Sequence, residues 1–264
     1  MNLEDKEWFK KFFDELYYET YSVFENEERN EKEARFIVES LGLPKGSSVL
    51  DLGCGYGRHA VYLGKWGYRV VCLDLSKFLL GIARDRISKF RVEDRVELVS
   101  SDMRSMEYKS EFDGVYMFFT TFGYFSDEEN LEVLRRVSRA LRPGGAFLVD
   151  LINPIALLHN VYNNDGRWRT WYEAGNYIVL EDSTFDILRG RLHVKRIFKK
   201  KDSTLPLAEK GFTLRIYTYW ELNNMLEKAG LKIVKALGSY KGDEYKPSSP
   251  RLIIIAQKIT SISS

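Results

Sequence analysis

Val49-Leu50-Asp51-Leu52-Gly53-Cys54-Gly55-Tyr56-Gly57-Arg58 carries an apolar run into an acid and then sets glycine at three alternate positions ahead of an amphipathic segment. Glycine lets a backbone turn tightly and approach a ligand with no Cβ in the way, and the first N–H groups of a following helix lack intrahelical acceptors. A turn of this kind suits a nucleotide-like molecule. Glycine turns also occur where nothing binds, so the residues around it decide. About twenty residues on, Asp74 ends a second apolar run, where a carboxylate can accept two ribose hydroxyls. Its alternative task is to cap the helix beginning at Lys77, which Ser76 can do equally well.

Around this turn the chain alternates short apolar runs with amphipathic stretches. The runs 48–52, 69–73, 96–99, 114–119 and 146–152 predict strands, and 58–66, 77–90 and 127–141 predict helices, the last capped by Ser126 or Asp127. Strands alternating with helices predict a parallel sheet covered on both faces. Upstream, Trp8, Phe9, Phe12, Phe13, Leu16 and Tyr17 recur at the spacing of one apolar helix face, and a second helix over 31–41 stops at Gly42 and Pro44. From Pro154 to about Arg215 the rhythm breaks into alternating runs around Arg189-Gly190-Arg191, which predicts an antiparallel insertion, with 199–204 as a loop. A helix over 218–229 and strands over 231–237 and 251–257 complete the chain. The expectation is an α/β fold: a doubly wound, mostly parallel seven-stranded sheet with a small antiparallel β insertion. It divides into a helical cap (1–45), a sheet domain (46–153 and 216–264) and the insertion (154–215), which brings Trp168, Trp171, Tyr172 and Phe185 toward an acceptor pocket.

Composition narrows the classes. A chain of 264 residues buries a sizeable core in one domain with room for an insertion. Lys plus Arg is 40 against Asp plus Glu 38, a balance with no overall pull toward nucleic acid or acidic membranes. Residues 1–10 mix charges of both signs, and no stretch approaches the roughly 20 apolar residues of a membrane span, so the expected location is the cytoplasm. Cys54 and Cys72 have no metal-ligand or CxxC spacing, and His59, His159 and His193 are scattered, so neither a disulfide nor a metal site is expected.

Finer spacing separates the cofactors. In the NAD fingerprint the third glycine follows two intervening residues; here Arg58 stands at that position and the glycine falls at Gly57. With the acid ahead of the glycines, the stretch resembles the motif of class I S-adenosylmethionine-dependent methyltransferases. The resemblance continues in Ser101-Asp102-Met103-Arg104, in Phe112-Asp113-Gly114-Val115 and in Leu141-Arg142-Pro143-Gly144-Gly145. More narrowly, the chain is similar to the small-molecule branch that includes sugar N,N-dimethyltransferases and glycine or sarcosine methyltransferases. That likeness rests on Asp102-Met103-Arg104, on Phe118-Phe119-Thr120-Thr121-Phe122-Gly123-Tyr124, and on the insertion ahead of Tyr217-Thr218-Tyr219-Trp220-Glu221-Leu222.

The resemblance implies a Rossmann-like fold, S-adenosyl-L-methionine as cofactor and S-adenosyl-L-homocysteine as product. It implies Asp51 near the methionine end, with Gly53, Cys54, Gly55, Gly57 and Arg58 forming the turn beneath it. Asp74, with Leu75 and Ser76, then belongs to the ribose, Asp102 to the adenine amino group and Met103 to the ring face. Phe118, Phe119 and Thr120 are expected at the C-terminal edge of the fourth strand, beside the methyl group. Tyr124 and Tyr21 are the candidate catalytic groups, and Tyr17, Tyr18 and Tyr21 can belong to a helix over the cofactor. A sulfonium is already an activated electrophile, so positioning dominates and no strong base is required. The expected reaction is in-line transfer to a small-molecule amine or hydroxyl.

The alternatives are an RNA methyltransferase, an NAD-dependent oxidoreductase and a non-catalytic module that keeps the cofactor site. The basic run Arg189, Arg191, Lys195, Arg196, Lys199, Lys200 and Lys201 alternates with Leu192, Val194 and Ile197, which fits a solvated hairpin face as well as a nucleic-acid patch. Asn153-Pro154 follows the fifth strand and reads as a strand-ending turn.

Overall fold

The computed structural model describes residues 6–259; residues 1–5, part of the stretch read as carrying no secretion signal, and 260–264 lie outside the described residues. Five strands, β1 (Ser48–Leu52), β2 (Arg69–Asp74), β3 (Val96–Ser100), β4 (Phe112–Met117) and β5 (Leu141–Ile152), pair in parallel. A second sheet follows, an antiparallel meander of β6 (Arg167–Ala174), β7 (Tyr177–Asp186), β8 (Arg191–Lys200) and β9 (Ala208–Arg215). The chain then returns to the first sheet through β10 (Leu231–Leu237) and β11 (Arg251–Lys258), giving the order β10-β11-β5-β4-β1-β2-β3 with β11 antiparallel to β5. The seven-stranded, doubly wound sheet and the antiparallel insertion are as the sequence predicts.

The central strands are apolar on both faces because both are covered. Leu50 and Leu52 point into one core with Val115, Met117 and Phe147, whereas Val49 points into the other with Cys72, Tyr116 and Leu148. The helices are α1 (Phe9–Phe12), α2 (Glu15–Tyr21), α3 (Glu27–Leu41), α4 (Ala60–Lys65), α5 (Lys77–Phe90), α6 (Asp127–Ala140), α7 (Pro154–Asn163) and α8 (Tyr219–Lys228). Ser76 caps α5, accepting from Leu79 N at 3.2 Å, and reciprocal capping boxes start α6 at Ser126 and α8 at Thr218.

Several boundaries differ for physical reasons. The N-terminal apolar face is split between two helices, because the Asp14 side chain accepts from Tyr17 N at 3.2 Å and starts a new helix. Asn26 does the same for α3, which begins four residues earlier than the apolar pattern. β4 stops at Met117, two residues short, since Phe119 and Thr120 take positive φ angles of 61° and 65°. Asn153-Pro154 is no strand-ending turn. Asn153 caps α7 with Pro at its first position, so ten residues of the insertion are helical. Lys199 and Lys200 are paired in β8, and the loop begins only at Lys201.

The second sheet is not a detached module. Leu192, Val194, Leu214 and Ile216 join the same core as Leu50 and Phe147. They hold one face of the meander over the C-terminal ends of the parallel strands.

Candidate functional site

The parallel order reverses direction of travel at β1, which has β2 on one side and β4 on the other. Ligands of open α/β sheets bind beyond the carboxyl ends of the strands at such a point. Here the space is a cavity of about 510 Å³ roofed by the N-terminal segment and walled by β8 and β9.

The glycine turn forms its floor. Gly53 N and Cys54 N both donate to Leu73 O, at 2.8 and 3.2 Å, so the turn hangs from the end of β2. Gly53 has φ +79°, and a Cβ there would stand 2.9 Å from Thr121 Cγ2, which leaves no space for a side chain. Asp51 is 3% exposed, and burial pushes its carboxyl up to about 7, with Asp74 acting in the same direction and the Tyr116 hydroxyl and Arg58 opposing. Asp74 accepts from Gly55 N through Oδ2 and from Ser76 N through Oδ1, both at 2.8 Å. Desolvation raises its carboxyl too, against those backbone donors. Ser76 Oγ donates to Phe13 O at 2.6 Å, tying the N-terminal segment to the rim.

Asp102 and Met103 stand at the next strand end. Arg104 grips Asp102, with its own N on Oδ1 and Nη2 on Oδ2, both at 2.8 Å, and reaches Glu129 on α6 at 2.8 Å. Against the burial that raises it, this grip holds the Asp102 carboxyl below the usual range.

Beyond β4 the chain turns through two consecutive left-handed residues, a conformation that costs about 1–2 kcal/mol at each non-glycine position. Asp150, fully buried on β5, stabilises the turn: its Oδ2 accepts from Phe119 N at 2.8 Å, and its carbonyl accepts from Thr120 N at 3.0 Å. Arg251 bridges Asp150 Oδ1 and Thr120 Oγ1, both at 2.7 Å, and the Tyr240 hydroxyl donates to Asp150 at 2.8 Å. The turn sets the Phe119 ring 4.9 Å from the Arg58 guanidinium. Arg58 is held by Glu33, which also accepts from Arg29 Nε at 2.8 Å and His59 Nε2 at 3.0 Å. Burial first, then Arg58, pushes His59 down to about 4, so its ring is neutral at pH 7.

Aromatic rings close the other end. Tyr124 lies 4.9 Å from Trp8 and 5.9 Å from Phe13, and desolvation holds its hydroxyl well above the ordinary range, so it is a hydrogen-bond donor and not a base. Tyr21 stacks on Tyr17 at 4.4 Å and accepts from Arg196 Nη1 at 2.6 Å.

Of the residues singled out from sequence, Asp51, Gly53, Cys54, Gly55, Arg58, Asp74, Leu75 and Ser76 line the cavity. So do Asp102, Met103, Phe118, Phe119, Thr120, Tyr124, Tyr17 and Tyr21. Gly57 does not: its φ is +69°, and a Cβ there would stand 3.3 Å from Ala83 Cβ, so it serves the packing of α5. Tyr18 turns away to Tyr56 and Phe78. Trp168, Trp171, Tyr172 and Phe185 also miss the cavity, and Trp171 is 62% exposed; the insertion reaches it through Leu192, Arg196, Phe212 and Leu214.

Two positions that shape the cavity, one lining it and one supporting its rim, escaped the sequence reading. Arg196 sits inside, because strict alternation from Leu192 and Val194 makes 196 an inward position; the signal was there but the basic run masked it. Asp150 is an acid within an otherwise apolar strand, the kind of residue a buried strand keeps only with partners. Among the described residues no His, Cys, Asp or Glu cluster is arranged to hold a metal, and no helix is long and apolar enough to cross a membrane.

A family model described as a methyltransferase domain matches residues 49–145. The cypemycin N-terminal methyltransferase of a Streptomyces species is 32% identical over 215 residues, covering 81% of this chain and 84% of that protein. Among solved structures, the CcbJ methyltransferase from Streptomyces caelestis has a TM-score of 0.79 at 21% identity, covering 91% of this chain and 95% of that one. CalS10, an amino pentose methyltransferase from Micromonospora echinaspora involved in calicheamicin biosynthesis, has a TM-score of 0.65 at 19% identity, covering 92% and 97%.

Proposed function

The chain belongs to the class I S-adenosylmethionine-dependent methyltransferases, and on that premise we propose that it methylates an amine or hydroxyl of a small-molecule acceptor held in this cavity. The observation that carries the reading is one continuous cavity lined by the carboxylates Asp51, Asp74 and Asp102 and by the rings of Trp8, Tyr124 and Phe212. Such a space suits a polar nucleoside and a compact acceptor together.

The residues fit the cofactor. Each Asp74 oxygen gives one lone pair to a backbone N–H and keeps another, so the pair can accept two ribose hydroxyls. Asp51 faces the methionine ammonium across the Cβ-free floor at Gly53. Asp102, fixed by Arg104, takes the adenine amino group, and Met103 covers the ring. When bound, S-adenosylmethionine supplies a methyl group activated by its sulfonium; an acceptor lone pair takes it as the S–C bond breaks, that bond's electrons stay on sulfur and the acceptor's spare proton passes to water. Phe119 and Thr120, locked by Asp150 and Arg251, set the line of approach. Trp8, Tyr17 and Tyr124 exclude solvent from it.

A small acceptor is favoured over RNA because the basic run is largely spent within the protein. Arg189 pairs with Asp186 at 2.8 Å, Lys195 with Glu209 at 2.7 Å and Lys201 with Glu173 at 2.5 Å, while Arg196 is internal. The free, buried thiols of Cys54 and Cys72 suit the reducing cytoplasm proposed for it. Calorimetry tests the cofactor half: S-adenosylhomocysteine gives binding heat and NAD does not, and Asp74→Ala weakens binding about tenfold or more, since a hydrogen bond to a charged group is worth about 1.5–3 kcal/mol. Comparable heat from NAD, or an unchanged affinity in Asp74→Ala, counts against it.

A further inference from the structure

Tyr116 stands in the middle of the parallel sheet with a hydroxyl that the protein itself does not use. The side chain is fully buried, and its oxygen has no hydrogen-bond partner. Phenylalanine would fill the same space and leave no orphan. A buried polar group without a partner costs stability, so the hydroxyl points to a bond that forms only when the site is in use.

Strand register identifies the other half of that bond. Asp51 on β1 is paired with Tyr116 on β4 and with Cys72 on β2, and paired residues of parallel strands share a face. The remaining groups around them are weak acceptors or are occupied. The thiols of Cys54 and Cys72 accept poorly. His59, whose ring lies 6.5 Å from that of Tyr116, has its Nε2 on Glu33 at 3.0 Å, and Arg58 pairs with the same Glu33 at 3.0 Å. Asp74, at the end of β2, takes Gly55 N and Ser76 N on its two oxygens. Asp51 is the strong acceptor that is left. The Tyr116 hydroxyl is near enough to pull the Asp51 carboxyl down, yet it is not aligned on it. Burial, and then the charge of Asp51, hold that hydroxyl well above its ordinary range, so it keeps its proton and stays a donor. A donor of this kind bonds an ionised carboxylate more strongly than a neutral carboxyl.

Resting on the reading of this cavity as the cofactor site, we propose that Tyr116 is a positioning residue, whose hydroxyl aligns on Asp51 once the methionine ammonium of the cofactor draws that group into its carboxylate form. The carboxyl O–H bond breaks as the cofactor enters, its electron pair stays on Asp51 and the proton leaves to water. Tyr116 acts only through Asp51, by fixing the carboxylate that fixes the methionine end.

The test titrates the full chain with S-adenosylhomocysteine at a series of pH values, as wild type, Tyr116→Phe and Tyr116→Leu. Loss of the hydroxyl makes Asp51 harder to ionise and moves the midpoint of the affinity rise upward from about 7 by about one pH unit. Tyr116→Phe therefore binds about tenfold more weakly near about pH 6 and about as tightly as wild type near about pH 8.5. Looser packing would instead weaken binding by one factor throughout. Titrations in two buffers of different ionisation heat count the proton as well: near pH 7 about half a proton leaves per wild-type site and about one per variant site. Tyr116→Leu removes the same donor, gives the same shift and decides the matter if Tyr116→Phe does not fold. A midpoint equal to that of wild type, a loss of affinity that does not vary with pH, or an unchanged proton count overturns the proposal. No binding of S-adenosylhomocysteine by wild type removes the cofactor reading as well, whereas binding with the same pH dependence in all three chains removes only the role of Tyr116.

Discussion

Asp51 is the residue whose chemistry sits closest to neutrality. Burial lifts its carboxyl to about 7, so the apo protein gains stability from it at low pH and loses that contribution as pH rises from the ordinary carboxylate range through about 7. A cationic methionine end reverses the balance, because it needs the ionised form. The affinity for S-adenosylhomocysteine therefore rises across the unit either side of about 7 and then levels off, and Asp51→Asn flattens that rise. Binding titrations at a series of pH values measure this directly; wild type and Asp51→Asn curves of the same shape would show that Asp51 does not face the cofactor. At this scale the site was legible wherever a residue type stood out from its surroundings, as Asp51, Asp74 and Asp102 do. Arg196 did not stand out. A guanidinium among six other cations reads as solvent-facing until its phase along β8 is counted.

Among elements, the glycine turn divides its labour. Gly53 keeps the cavity floor clear, whereas Gly57 faces Ala83 on α5. Gly57→Ala puts a Cβ on a left-handed residue at a cost of about 1–2 kcal/mol, so the melting temperature drops while affinity for S-adenosylhomocysteine in the folded protein falls little. Gly53→Ala crowds Thr121 and loses affinity instead. Thermal melts and cofactor titrations on the two variants check the division, and equal losses of affinity in both would refute it. β1, α5 and β10 begin and end where the sequence predicts, because their signals are local: an unbroken apolar run, or a serine cap before an amphipathic face. The break between α1 and α2 was hidden. The aromatic spacing runs unchanged across Asp14, and only the competition of that side chain for a backbone N–H ends one helix and starts another. α7 was hidden for a related reason, since Asn-Pro signals both a turn and a helix start.

Across the whole molecule, the N-terminal segment, the parallel sheet and the meander meet at one cavity, and no piece is separable from the others. Excising 154–215 would strip Leu192, Val194 and Leu214 from the main core, so a point change on the wall is the cleaner probe. Phe212 touches Trp8, Phe12 and Arg196. Phe212→Ala lowers methyl transfer about tenfold or more by loosening the acceptor's alignment, while the cofactor titration stays near wild type. A parallel fall in both would assign Phe212 to general stability. That the meander covers the sheet was legible from the broken βα rhythm; which of its rings face inward was not, because strand phase follows from packing against the core and not from aromatic content. The central claim is methyl transfer to a small acceptor, and the most direct measurement incubates the protein with methyl-labelled S-adenosylmethionine and, separately, a panel of amines, amino acids, short peptides and amino sugars or total RNA. The account predicts label in a member of the small-molecule panel and none in RNA; label only in RNA, at a rate falling steeply as salt rises, would contradict it.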